Sequence, residues 1–179
     1  MKIRNLVPVM VIAVVMVLAL FAAPMSASGG HAPKTKAWTY LVYMAADNNL
    51  DAWGLFSLGL MKKGLASDND ANVIVLLDRL DANADLLKVT PTGVLKLADY
   101  GEPDMADPDV LTQFLSWGVN TYPANHYAVV IWNHGGGWKY VIEDITSDTR
   151  MSIAGLANAM NDVAARLGRK FDITIFDAC

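Results

Sequence analysis

The chain has 179 residues, room for one domain and hardly for two. With 54% hydrophobic and 18% charged residues it is not a disordered chain, and a formal net charge of −4 excludes a basic nucleic-acid binder. A single cysteine builds neither a disulfide framework nor a cysteine-rich zinc site, so Cys179, the last residue of the sequence, matters as a thiol if it matters at all.

Lys2 and Arg4 precede an apolar run from Leu6 to Ala23 and the small residues Ser26-Ala27-Ser28. This is the pattern of a signal peptide over residues 1–28, cleaved after Ser28; the alternative is retention as a membrane anchor, because the run approaches bilayer-spanning length. Cleavage removes two positive charges and takes the net charge from −4 to −6. Residues 29–37 read as a Gly/Pro-containing linker, and the ordered chain, 38–179, is expected to start at Trp38.

Thr39 to Ala46 is apolar on both faces, the mark of a strand buried between two layers, and Asp47-Asn48-Asn49 follows as a turn-and-cap cluster. Leu55, Leu58, Met61 and Leu65 then recur at helical spacing, and Asn72 to Leu77 closes a βαβ unit. The strand-like pieces between Asp85 and Leu97, around Pro91-Thr92-Gly93, read as a hairpin inserted outside the main sheet. Asp107-Pro108 is an N-cap with proline at the first helical position, opening a helix to about Tyr122. Tyr127 to Trp132 is the third buried strand. Ser152 caps a helix with an apolar stripe of Ile153, Leu156, Met160, Val163 and Leu167, stopped by Gly168, and Phe171 to Phe176 is the fourth strand. The alternation makes this an α/β chain with a mainly parallel sheet flanked by helices. Trp53 and Trp132 sit in apolar patterns and are assigned to the core.

In open parallel sheets, chemistry collects beyond the carboxyl ends of the strands. His134 follows the third strand and Cys179 the fourth. If those strands are neighbours their ends lie about 4.8 Å apart, close enough for an imidazole to take the proton of a thiol nucleophile. Gly135-Gly136-Gly137 is either a flexible loop or a segment whose bareness lets the N–H of Gly135, with that of Cys179, hold an oxyanion. Asp177, expected to be poorly hydrated at the end of an apolar strand, either meets a guanidinium or ammonium of a substrate or is satisfied by nearby backbone donors.

The segments YLVYMAADNNLD (Tyr40 to Asp51), HYAVVIWNHGGGW (His126 to Trp138) and FDITIFDAC (Phe171 to Cys179) resemble the clostripain family of cysteine peptidases, within the caspase-like group. The resemblance covers essentially Trp38 to Cys179. It implies a caspase-like α/β fold, of which four strands are expected here, and an endopeptidase acting on peptide or protein substrates after Arg or Lys. Residue by residue it implies His134 and Cys179 as catalytic dyad, Gly135 in the oxyanion hole and Asp177 in the pocket for the basic side chain. It further implies calcium dependence in several members, and maturation by self-cleavage. Arg150 is the only basic residue between Glu143 and Met151 and is the candidate self-cleavage site, against the plainer reading of a surface loop. The acids of that stretch and of Glu102 to Asp109 are candidate calcium ligands, although neither has EF-hand spacing.

His-Gly-Gly-Gly-Trp also matches an oxyanion signature of serine esterases, but no Gly-x-Ser-x-Gly elbow is present to supply their nucleophile. A secreted binding protein that keeps the fold is the third reading. Because a strand ending at Cys179 would be an exposed apolar edge, the chain is expected to be a fragment whose activity belongs to a longer product.

Overall fold

Strand β1 (Lys36–Ala46) alternates between two cores: Leu41, Tyr43 and Ala45 face one, Val42, Met44 and Ala46 the other, all at most 3% exposed. The computed structural model describes residues 35–65 and 70–179, so the leader and residues 29–34 of the linker lie outside the described residues. Among the described residues no helix is long and apolar enough to cross a membrane. The first strand begins at Lys36, two residues before the expected start.

Helix α1 (Asp51–Leu65) leads to β2 (Ala71–Arg79), which pairs parallel with β1 as the βαβ reading requires. Only Leu80 and Asp81 separate β2 from β3 (Ala82–Thr90), and Pro91-Thr92 separate β3 from β4 (Gly93–Gly101). Connections this short allow only antiparallel return. The predicted outlying hairpin is therefore part of the main sheet, extending it antiparallel beyond β2.

Helix α2 (Pro108–Thr121) starts as expected, with the Asp107 side chain accepting from the N–H of Asp109 and Pro108 inside the first turn. Strand β5 (Ala124–Trp132) returns to the other side of β1, parallel to it. A small hairpin, β6 (Ile142–Asp144) and β7 (Thr149–Met151), precedes α3 (Ile153–Leu167), which is capped by Ser152 and ends on Gly168 at φ 72°. Strand β8 (Ile173–Asp177) pairs parallel with β5, giving the order β4-β3-β2-β1-β5-β8.

Helices α2 and α3 cover one face, where Phe114, Leu115, Leu156 and Val163 pack on Leu41, Ile74 and Val129. On the other face Leu58 and Leu65 of α1 pack on Val42, Val75 and Leu77. Trp132 is buried as expected, but Trp53 is 58% exposed on the outer side of α1, stacked edge-on against Phe56. The helix buries Gly54, Leu58 and Leu65, and Trp53 lies off that stripe.

Candidate active site

The sheet order reverses at β1, which has β2 on one side and β5 on the other. A crevice opens at such a switch point, outside the carboxyl ends of the two strands. Two polar segments project there, Asp47-Asn48-Asn49 after β1 and Asn133-His134 after β5.

Asn133 ties these ends together. It is 2% exposed, and its carboxamide donates to the carbonyls of Ala45 (2.8 Å) and Glu143 (2.9 Å) and accepts from the N–H of Glu143 (3.1 Å). With the backbone so fixed, the neighbouring His134 is partly buried and its Nε2 lies 2.6 Å from Oδ1 of Asn49. Since that oxygen can only accept, Nε2 carries the hydrogen, and Nδ1 keeps the lone pair that can receive a proton. The sequence places Asn49 only in a turn-and-cap cluster. Its signal was present in the paired asparagines after a buried strand, but which ring they would meet depends on a contact 85 residues away.

Strands β5 and β8 are neighbours, with Trp132 opposite Asp177, so His134 and Cys179 emerge side by side, and the N–H of Cys179 donates to the carbonyl of His134 at 2.6 Å. The cysteine is exposed. That hydrogen bond also occupies the backbone donor expected to share an oxyanion hole with Gly135, so the expected pair of donors is not assembled in this arrangement.

Gly135 has φ +70°, and a Cβ placed on it would come within 2.7 Å of the carbonyl oxygen of Cys179 and 3.1 Å of the Ala178 Cβ. Glycine is required both for the left-handed backbone and for the close approach. Gly136 donates to the carbonyl of Tyr140 (2.9 Å) and packs against its ring, so the glycine segment is a defined loop. Beside it lies a cavity of about 220 Å³, lined chiefly by Gly135, Tyr140, Val141, Ile153, Phe176 and Cys179.

Asp177 stands at the carboxyl end of β8, whose residues are all exposed in the described chain. The stretch Glu143 to Met151 is not a plain loop. It forms the β6–β7 hairpin, in which Arg150 is exposed, forms an ion pair with Glu143 and lies over the Tyr140 ring, while Asp144 and Met151 are buried. His126 lies within β5, its ring tilted against that of Trp38 and its Nδ1 3.0 Å from Asp172.

Of the expected calcium-ligand stretches, only Asp144 enters a cluster that could hold a metal, and its companions are Asp47 and Asp78. Asp104 instead accepts from the N–H of Ala106 and from the hydroxyl of Thr149. Burial, with Glu102, Asp144 and Asp47 nearby, pushes the Asp78 carboxyl up to about 8.

A family model described as the clostripain family matches residues 42–179. Clostripain from Hathewaya histolytica is 26% identical over 180 residues, covering 82% of this chain and 34% of that protein. A secreted C11 cysteine protease from Bacteroides thetaiotaomicron, solved in complex with an irreversible peptide inhibitor, superposes with a TM-score of 0.69 at 33% identity, over 80% of this chain and 43% of that one. An inactive zymogen C11 protease from Parabacteroides distasonis gives 0.67 at 30% identity, over 83% and 44%. The chain thus spans about a third of the curated relative and less than half of each of these two structures.

Proposed function

The chain belongs to the clostripain family of cysteine peptidases, and from that premise we propose that it supplies the nucleophile-bearing part of an exported endopeptidase that cleaves after Arg or Lys, with His134 and Cys179 as its dyad. The observation that carries this reading is the β5–β8 adjacency, which brings the two residues to neighbouring strand ends at the switch-point crevice.

In this mechanism Nδ1 of His134 takes the proton of the Cys179 thiol, with Asn49 holding the ring through Nε2–H. The thiolate attacks the carbonyl carbon of the scissile peptide and forms a tetrahedral intermediate. Its oxyanion is met by the N–H of Gly135, and by that of Cys179 once the hydrogen bond to the His134 carbonyl opens. The imidazolium then protonates the departing amine, and water, with its proton passed to the same nitrogen, hydrolyses the thioester. Asp177 offers a carboxylate two residues from the nucleophile, and its pairing with a guanidinium or ammonium selects the residue before the cut. The same preference directed at Arg150 would nick the β6–β7 hairpin. That cut requires the hairpin to open locally, since a protease takes up extended and unpaired chain.

The test is hydrolysis by the full-length enzyme of matched peptides carrying Arg, Lys or Asp before the scissile bond. Cys179→Ala and His134→Ala must each abolish turnover, and unchanged activity in either ends the dyad assignment. Equal rates on the three substrates, or an unaltered preference in Asp177→Asn, removes the role of Asp177. Mass spectrometry of purified protein reads cleavage at Arg150 directly, and an intact chain from the active enzyme refutes it.

A further inference from the structure

The pleat of β8 sends its last two side chains to opposite faces of the sheet. Phe176 stands opposite Ile131, which belongs to the core under α2 and α3, while Asp177 stands opposite Trp132, which belongs to the core under α1. The cavity of about 220 Å³ beside Cys179 lies on the first of these faces. There Phe176 and Ile153, the opening residue of α3, join Tyr140 and Val141 from the segment after the glycine loop. The nucleophile is thus flanked by a carboxylate toward one face and an apolar hollow toward the other.

Among the described residues no charged side chain lines the hollow. Ile153 and Phe176 are 43% and 53% exposed, and large apolar groups gathered at a surface mark a binding site more often than a core. The wall they face is fixed in place. The Tyr140 ring packs on Gly136 and carries the Arg150 guanidinium over its face, 4.9 Å from the ring centre.

We propose that this hollow receives the side chain of the residue after the scissile bond and selects an apolar one, of the size of Leu or Met. The inference rests on the peptidase reading, with Asp177 meeting the Arg or Lys before the cut, and deepens it. Side chains of an extended peptide alternate in direction, so a residue that points to Asp177 leaves the next one pointing to the opposite face. The departing nitrogen must also come to His134, and Gly135 and Gly137, which follow that histidine, form part of the wall of the hollow. The residue two before the cut shares the facing direction but lies on the acyl side, away from the nitrogen that His134 protonates.

An apolar side chain seated here displaces water from Tyr140, Val141, Ile153 and Phe176, whereas a charged one loses its hydration with no charged partner among the lining residues. Met151, which follows the candidate nick at Arg150, belongs to the favoured class.

The selection is tested with internally quenched peptides that keep Arg before the scissile bond and place Leu, Met, Lys or Asp after it, digested by the full-length enzyme. Leu and Met should give kcat/KM at least about tenfold above Lys and Asp. Ile153→Asp puts a carboxylate at the edge of the hollow; an acid in the first turn of a helix is well tolerated, and Ser152 remains to cap it. In this variant the ratio of the Leu rate to the Lys rate should fall at least about tenfold. Indifference of the parent to the residue after the bond overturns the proposal whether or not the variant folds. So does an Ile153→Asp protein that melts like the parent and keeps the parental ratio. A second series, varied two residues before the cut, places the effect: a preference that changes there instead of after the bond also overturns it. Cleavage after Arg without this selection sinks the present inference and leaves the peptidase reading standing, while a full-length chain that cuts none of the peptides sinks both.

Discussion

Replacing Gly135 by alanine separates two roles of the glycine loop. Gly135 and Gly137 both have positive φ, +70° and +62°, so alanine at either costs about 1–2 kcal/mol of conformational strain. Around Gly137 there is nothing within 4 Å of an added Cβ, whereas at Gly135 it would lie 2.7 Å from the Cys179 carbonyl oxygen and 3.2 Å from the Cys179 nitrogen. Those are backbone atoms that cannot rotate aside, so the histidine and cysteine segments must part by several tenths of an ångström. Since a misplacement of about 1 Å at a reacting centre costs on the order of 100-fold in rate, Gly135→Ala should lose about 10–100-fold in kcat/KM. Gly137→Ala should lose comparable stability and little activity. Urea unfolding and hydrolysis of an Arg-containing peptide, measured on both variants of the full-length enzyme, read the two effects separately. Equal activity losses in the two would refute the reasoning, because only one of them touches Cys179.

Asn49→Ala frees Nε2 of His134 and, because a misplaced catalytic group costs up to about 100-fold in rate, should lower kcat by roughly 10–100-fold with KM little changed; an unchanged kcat and pH profile would show that the contact is idle. Gly118→Ala should destabilise by about 1–2 kcal/mol despite the better helix propensity of alanine, because its Cβ would collide with Cδ2 of Leu41. A thermal midpoint above the parent's refutes that packing argument, and Leu41→Val in the same chain should recover part of the loss. The paired bonds from Arg79 to Asp51 (2.7 and 2.8 Å) hold the Asp51 carboxyl below the usual carboxylate range. Both side chains are a quarter to a third exposed, so the pair contributes about 0.5–1 kcal/mol. Because the folded-state pKa is the lower one, this stability is fully present above the unfolded value and is lost as pH falls through the folded one. The difference between parent and Asp51→Asn should therefore be constant near neutrality and shrink below about pH 4; a difference that grows with acidification contradicts the sign.

The sequence by itself determined what depends on local periodicity and chemistry. Apolar runs on both faces locate β1, β2 and β5, caps at Asp107 and Ser152 and the stop at Gly168 bound α2 and α3, and the histidine and cysteine at strand ends mark the crevice. These signals survive because burial period and cap hydrogen bonds act over a few residues. Tertiary structure decided what depends on which segments meet. It brought the hairpin into the sheet because two-residue links leave β3 and β4 no other partner, and it turned Trp53 outward because α1 buries only the stripe through Gly54, Leu58 and Leu65. It set Asn49 against His134 across 85 residues, and gathered Asp47, Asp78 and Asp144 into one buried cluster. No spacing rule could have found that cluster, since its members come from three segments of the chain and only the order of the strands makes them neighbours.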